Sequence, residues 1–157
     1  MRAHPNVIAV QDALDSAGAT DSQVIILDEA VHTAAAAAEA LCIEVGQIAN
    51  SLIFDADGEP LLVLTSGAHR VDTDKVAESL QIGRLKRATP EFVRQHTGQA
   101  IGGVAPLGHP KPVRTLIDTA LRQYEVIWAA GGVPQAVFPI TYDELVRVTA
   151  GTPADVA

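Results

Sequence analysis

The chain has 157 residues, 48% hydrophobic but only 4% aromatic, and a formal charge of −8 at neutral pH. That length is enough for one domain, spanning residues 1–157, with a substantial core of Val, Leu, Ile and Ala, and no apolar run reaches the roughly 18 residues a transmembrane helix needs. The lone Cys42 excludes an intrachain disulfide, and with no signal-peptide core read after Met1-Arg-Ala-His-Pro-Asn6 the expected location is the cytoplasm.

The first predicted element is a helix from Val7 to Ala17, where Val7, Val10, Leu14 and Ala17 recur at helical spacing and Gly18 supplies a stop. Val24 to Leu27 reads as a short buried strand. Thr33 caps an alanine-rich helix reaching about Leu41, and Cys42 behind it reads as a buried small hydrophobe. Ile48 to Phe54 and Pro60 to Thr65 flank Asp55-Ala-Asp-Gly-Glu59, a hairpin signal with Asp-Gly at its tip. Asp72 caps a helix through Leu80. Thr89-Pro90-Glu91 opens another, which ends at Gly98. Val113 to Ile117, Glu125 to Ala129 and Gln135 to Ile140 read as strands. Thr141-Tyr-Asp-Glu144 is a capping box for a last helix through about Val148, and the tail from Ala150 to Ala157 reads as frayed. This interleaving predicts a mixed α/β domain, a mixed, barrel-like sheet surrounded by helices.

Two glycine pairs stand out, Gly102-Gly103 and Gly131-Gly132, each followed by a proline within three residues. Adjacent glycines admit positive φ and close approach to main-chain N–H groups, and prolines stiffen the loop. The pairs are read either as tight connections at sheet corners or as an amide-lined binding cradle. Charge is uneven as well. Eight of the eleven basic residues fall between Arg70 and Arg114 against four acids, so that segment carries +4 and the rest −12. Such asymmetry could form a basic face for a phosphate backbone, or scattered solvated charges.

Nothing in the pattern supplies a conventional nucleophile. The five histidines lack metal spacing, the single Cys cannot complete a zinc site, and no nucleophile elbow, Walker loop or dinucleotide fingerprint occurs. No metal or cofactor is expected. His109 alone among the histidines ends a glycine-rich loop and could reach a pocket. Such a site could still hydrolyse an activated ester by oxyanion stabilisation, or could bind without chemistry.

Several segments in order carry a resemblance: Thr33-Ala-x-x-Ala-Ala-x-Ala-Leu41, Val45-Gly-Gln-Ile-Ala-Asn-Ser-Leu-Ile-Phe54, Ser66-Gly67 with Val71-Asp72, Thr97-Gly98 with Gly102-Gly-Val-x-Pro-x-Gly-His109, and Ile117-Asp118 with Val126-x-Trp-Ala-Ala-Gly-Gly132. With these, the chain resembles the YbaK/EbsC/ProX family, relatives of the editing domain inserted in bacterial prolyl-tRNA synthetases. The resemblance implies aminoacyl-tRNA editing, the hydrolysis in trans of the ester of a mischarged tRNA. On the deacylase reading Asn50, Gly102 and Gly103 are expected to serve catalysis, Ser51, His109, Gly131 and Gly132 substrate binding, and the basic residues Arg84, Lys86, Arg87 and Arg94 tRNA. The implied partners are the aminoacylated 3′ end of tRNA and an aminoacyl-tRNA synthetase, not DNA or a membrane. The family's functional lysine is replaced by Asn50, which can hydrogen bond but carries no charge; Lys75 or Lys111 would have to compensate in space. The alternative is a binding module for aminoacyl-tRNA or a small amino-acid- or nucleotide-like ligand. Ala130 and Val137 stand where the branch that removes cysteine has serine and aspartate, which places the chain nearer the EbsC-like branch.

Overall fold

The structure, a computed structural model, describes residues 3–157; Met1 and Arg2, the first residues of the stretch read for a signal sequence, lie outside it. All five helices begin on a side chain that accepts a main-chain N–H. His4 caps α1 (Pro5–Ser16), Thr33 caps α2 (Ala34–Leu41), and Asp72 caps α3 (Thr73–Leu80). Thr89 caps α4 (Pro90–Thr97) and Thr141 caps α5 (Tyr142–Thr149). Each such cap is worth about 1 kcal/mol, so the boundaries are set locally. The expected capping box at Thr141 is half made, because the Glu144 carboxylate turns to Arg147 at 2.6 Å. Cys42 is exposed rather than buried. It is the residue after α2, in the left-handed region at φ 56°, where the chain turns outward.

The strands are β1 (Ile25–Ile26), β2 (Ile48–Ala56), β3 (Glu59–Ser66), β4 (Leu85–Arg87), β5 (Arg114–Asp118), β6 (Ile127–Ala130), β7 (Ala136–Ile140) and β8 (Thr152–Ala154). They form one mixed sheet in the order β1-β7-β6-β2-β3-β5-β8, with β4 paired to β2. The β2–β3 hairpin is antiparallel and in the expected register around Asp57-Gly58. β6 joins β2, and β5 joins β3, in parallel.

The tail is not frayed. β8 pairs in parallel with β5, Val156 is completely buried, and Lys75 Nζ bonds Asp155 at 2.7 Å and the Ala157 carbonyl at 2.8 Å. A polar, proline-containing end reads as loose in sequence, but a waiting sheet edge and one buried valine fix it.

The helices divide between the two faces of the sheet. Val7, Val10 and Leu14 of α1, Val93 of α4 and Leu145 of α5 pack with Ala49, Ile53, Leu62 and Leu64 on one face. On the other, Val76 and Ala77 of α3 pack with Phe54, Leu61, Val63 and Leu116, while Ala37 and Ala38 of α2 pack with Ile48. The second face therefore carries two apolar clusters instead of one, and the candidate site lies between them.

Candidate active site

β2 changes partners along its outer edge. β6 pairs with Ile48 and Ala49, β4 pairs with Phe54 to Ala56, and Asn50 to Ile53 have no strand between. A cavity of about 900 Å3 opens at that gap. Because it wraps a free edge, side chains from both faces of β2 line it.

The Gly67 N–H donates to the Ile48 carbonyl at 2.8 Å, so even-numbered residues of β2 direct their main-chain groups toward β3. Odd-numbered residues direct theirs to the opposite edge, and at Ser51 that edge has no strand partner. The Ser51 hydroxyl is also buried without a hydrogen bond. An unsatisfied buried polar group costs about 1–3 kcal/mol, so the Ser51 hydroxyl is available to a solvent or ligand atom in the cavity. The Asn50 carboxamide likewise bonds no protein group among the described residues, so it does not serve to tie down the strand.

Register places Asn50 within a row. Leu52 lies opposite Val63, which lies beside Leu116. Two residues along each strand, Asn50, Thr65 and Asp118 follow on the same face. Ala130 of β6 and its partner Val137 of β7 continue the row on the other side of Asn50. The polar residues of this row run between the apolar clusters beneath α2 and α3.

Asp118, 1% exposed, anchors the far end of the row. Its carboxylate accepts from the Ser66 N–H at 3.0 Å, the Thr65 hydroxyl at 3.3 Å and the Ala120 N–H at 2.9 Å. His69 Nδ1 lies 2.8 Å from the same carboxylate, and His69 lines the cavity. Neither residue is singled out for chemistry by sequence pattern. The available signal was an acid closing the apolar strand Leu116-Ile117, and a histidine two residues past Ser66-Gly67.

The two glycine loops meet, but back to back. A Cβ on Gly103 would lie 2.8 Å from Val133 backbone atoms and 2.9 Å from the Pro134 nitrogen. A Cβ on Gly132 would meet the Asn6 backbone at 2.9 Å, and one on Gly131 would meet Val24 and Ala136 side chains. The Gly103 and Gly131 N–H groups are spent inside their own turns, on the Ala100 and Ala136 carbonyls. Of the four glycines only Gly102, at φ +92° beneath His32, lines the cavity, and Pro134 joins it from the second loop. The loops form a wall whose glycines serve close packing. His109 lies outside the cavity lining: its Nε2 bonds the Ala105 carbonyl at 2.7 Å, and burial holds its pKa below the ordinary 6.5 against that hydrogen bond.

The structure brings Arg84, Lys86 and Arg87 to the cavity and adds Arg70, while Arg94 on α4 is exposed outside it. Lys86 and Arg87 reach it because β4, unrecognised in the sequence as a strand, pairs them with Asp55 and Phe54. Among the described residues, no carboxylate lines the cavity. Lys75 is held by the tail and Lys111 lies outside the lining, so neither replaces the lysine absent at position 50. Among the described residues, no helix is long and apolar enough to cross a membrane, and no three His, Cys, Asp or Glu side chains are grouped to hold a metal.

Comparison with known proteins gives this geometry its context. The family model for the aminoacyl-tRNA editing domain matches residues 28–148. A proline–tRNA ligase of Levilactobacillus brevis is 33% identical over 88 residues, covering 56% of this chain and 16% of the ligase, so the chain spans about a sixth of that enzyme's length. The uncharacterized protein YwhH of Bacillus subtilis is 25% identical over 126 residues, 80% of each chain. A solved structure described as that of a proposed trans-editing enzyme for prolyl tRNA synthetase superposes with a TM-score of 0.91 at 42% identity, covering 97% of this chain and 96% of the other.

Proposed function

The chain belongs to the aminoacyl-tRNA editing domain family, and from that premise we propose that it is a deacylase, hydrolysing in trans the ester between a wrong amino acid and the 3′ end of a tRNA. One observation carries the reading: on a protein of net charge −8, the cavity is lined by Arg70, Arg84, Lys86 and Arg87 and, among the described residues, by no acid. Such a cavity selects an anionic ligand, and a tRNA terminus is one. The wall of Trp128, Ile48 and Ala37 offers apolar room for an amino-acid side chain.

In this reading, the Ser51 N–H and hydroxyl at the open edge of β2, with the Asn50 carboxamide beside them, hold the ester carbonyl and the terminal ribose. An aminoacyl ester is already activated, so donors fixed where charge develops supply much of the catalysis. Gly102 and Gly103 shape the wall over the reacting ester, and Gly131, Gly132 and His109 support it from behind. Arg84, Lys86, Arg87 and, further out, Arg94 take the phosphates. The partner is a tRNA charged in the cytoplasm, with an aminoacyl-tRNA synthetase as its source. Ala130 and Val137, next to Asn50 in the row, make the pocket wall apolar there, in keeping with the EbsC-like branch.

Deacylation of a panel of mischarged tRNAs tests the proposal. Release above the uncatalysed rate for at least one supports it, and none for any overturns it. The absence of a charge at Asn50 favours one second reading, a module that binds charged tRNA without turnover. Under that reading Asn50→Lys gains hydrolysis while the parent chain only binds.

A further inference from the structure

We propose that His69, oriented by Asp118, is the general base that activates the hydrolytic water; this rests on the deacylase reading. Asp118 is buried, and its carboxylate oxygens accept three hydrogen bonds besides the contact with His69. With those oxygens as acceptors, the His69 Nδ1 at 2.8 Å is the protonated ring nitrogen. Nε2 then has no protein partner among the described residues, on a side chain that is 37% exposed and lines the cavity, and is placed to act as the base of the neutral ring. A carboxylate that fixes the tautomer and orientation of an imidazole is the arrangement general-base catalysis needs.

Position supports the same role. His69 sits on the loop that leaves β3 at Ser66, and Thr65, the residue before it, is paired with Asn50. The imidazole thus meets the polar row at its Asp118 end and lines the same cavity as Asn50. His32, which also lines the cavity, has no carboxylate partner among the described residues. Asn50 carries no charge, and the dyad supplies a base that works without a cation there.

The step balances as an ester hydrolysis. Nε2 takes a proton from water as the water oxygen bonds to the ester carbonyl carbon. The bond from that carbon to the ribose oxygen then breaks, and the ribose oxygen takes the proton back from Nε2. The products are the free amino acid and tRNA ending in a hydroxyl.

The test compares the full chain with His69→Gln and His69→Ala on the mischarged tRNA it hydrolyses best, across pH. The expected result is a fall in kcat of about 100-fold or more, loss of the acid limb of the pH–rate profile, and partial rescue of His69→Ala by added imidazole. A purely structural histidine would move neither the profile nor the rescue. Asp118→Asn should also lower kcat, and 15N shifts of the His69 ring should show the Nδ1–H tautomer in the parent. If the parent hydrolyses and His69→Gln keeps its rate and profile, the base assignment is wrong while the deacylase reading stands. If the parent hydrolyses no charged tRNA, both are wrong.

Discussion

Gly103→Ala isolates the packing between the two glycine loops. Gly103 has no positive φ, so its added methyl group meets steric resistance alone, and that resistance comes from Val133 and Pro134 backbone atoms at 2.8 and 2.9 Å. Backbone cannot rotate aside as a side chain tip can, so the cost belongs at the upper end of overpacking, about 3 kcal/mol. For a chain of this size that lowers Tm by roughly 6–12 °C. Gly58→Ala is the matched control: it meets nothing within 4 Å but forces alanine to φ +93°, a cost of about 1–2 kcal/mol. Urea denaturation of both variants gives the comparison, with unchanged m-values required for it to be valid. The Gly103 variant should also bind charged tRNA more weakly, because Gly102 and Pro134, which line the cavity, move apart with the loops. A Gly103 variant no less stable than the Gly58 variant would refute the back-to-back packing and with it the wall.

Deleting residues 152–157 removes β8, buried Val156 and the anchors of Lys75; burying one valine is worth about 1.5–3 kcal/mol, so a loss of at least 2 kcal/mol is expected in urea, and an unchanged midpoint would mean the tail is loose after all. Burial pulls the His109 pKa below 6.5 in the folded state. The unfolded chain therefore binds the extra proton first, and this contribution is complete above pH 6.5 and lost as pH falls below it toward the folded value. Urea midpoints at pH 7.5 and 5.5 should differ more in the parent than in His109→Gln; equal differences would remove His109 from the acid response. Lys86→Gln and Arg87→Gln should each weaken tRNA binding and reduce the slope of log K against log salt by about 0.7–0.9 for each phosphate no longer neutralised, measured by filter binding; an unchanged slope would place the tRNA elsewhere.

Helix starts and the hairpin were legible because their causes are local: a capping side chain at Thr33, Asp72, Thr89 and Thr141, and Asp-Gly between two apolar runs. β4 and β8 were not, since Leu-Lys-Arg and Thr-Pro-Ala have no strand pattern and become strands only because β2 and β5 present edges to them. The same distinction governs the site. Asn50 and Ser51 could be located from their segment, and the basic cluster from its density. The His69–Asp118 pair joins residues 49 apart, brought together by the parallel pairing of β3 with β5 that no local pattern encodes. The glycine pairs were legible as special but not in purpose, because positive φ and close approach look alike until the partner backbone is in place.

The position of the cations relative to Asn50 decides what charge can do here. Lys86 lies opposite Asp55, five residues along β2 from Asn50, which at strand rise is about 17 Å. That exceeds the Debye length of about 8 Å at physiological salt, so Lys86 cannot do for an ester beside Asn50 what an ammonium at position 50 would. It can hold a phosphate at the far end of the gap. The proposed function therefore separates binding from chemistry along β2. In the proposed reading Arg84, Lys86 and Arg87 at the β4 end hold the polynucleotide, and the ester meets the neutral donors of Asn50 and Ser51 together with His69 and Arg70 on the loop after β3. Asn50→Lys should consequently change kcat far more than the salt dependence of binding, and Lys86→Gln the reverse. A variant pair in which both moved the same parameter would show that the two ends are one site.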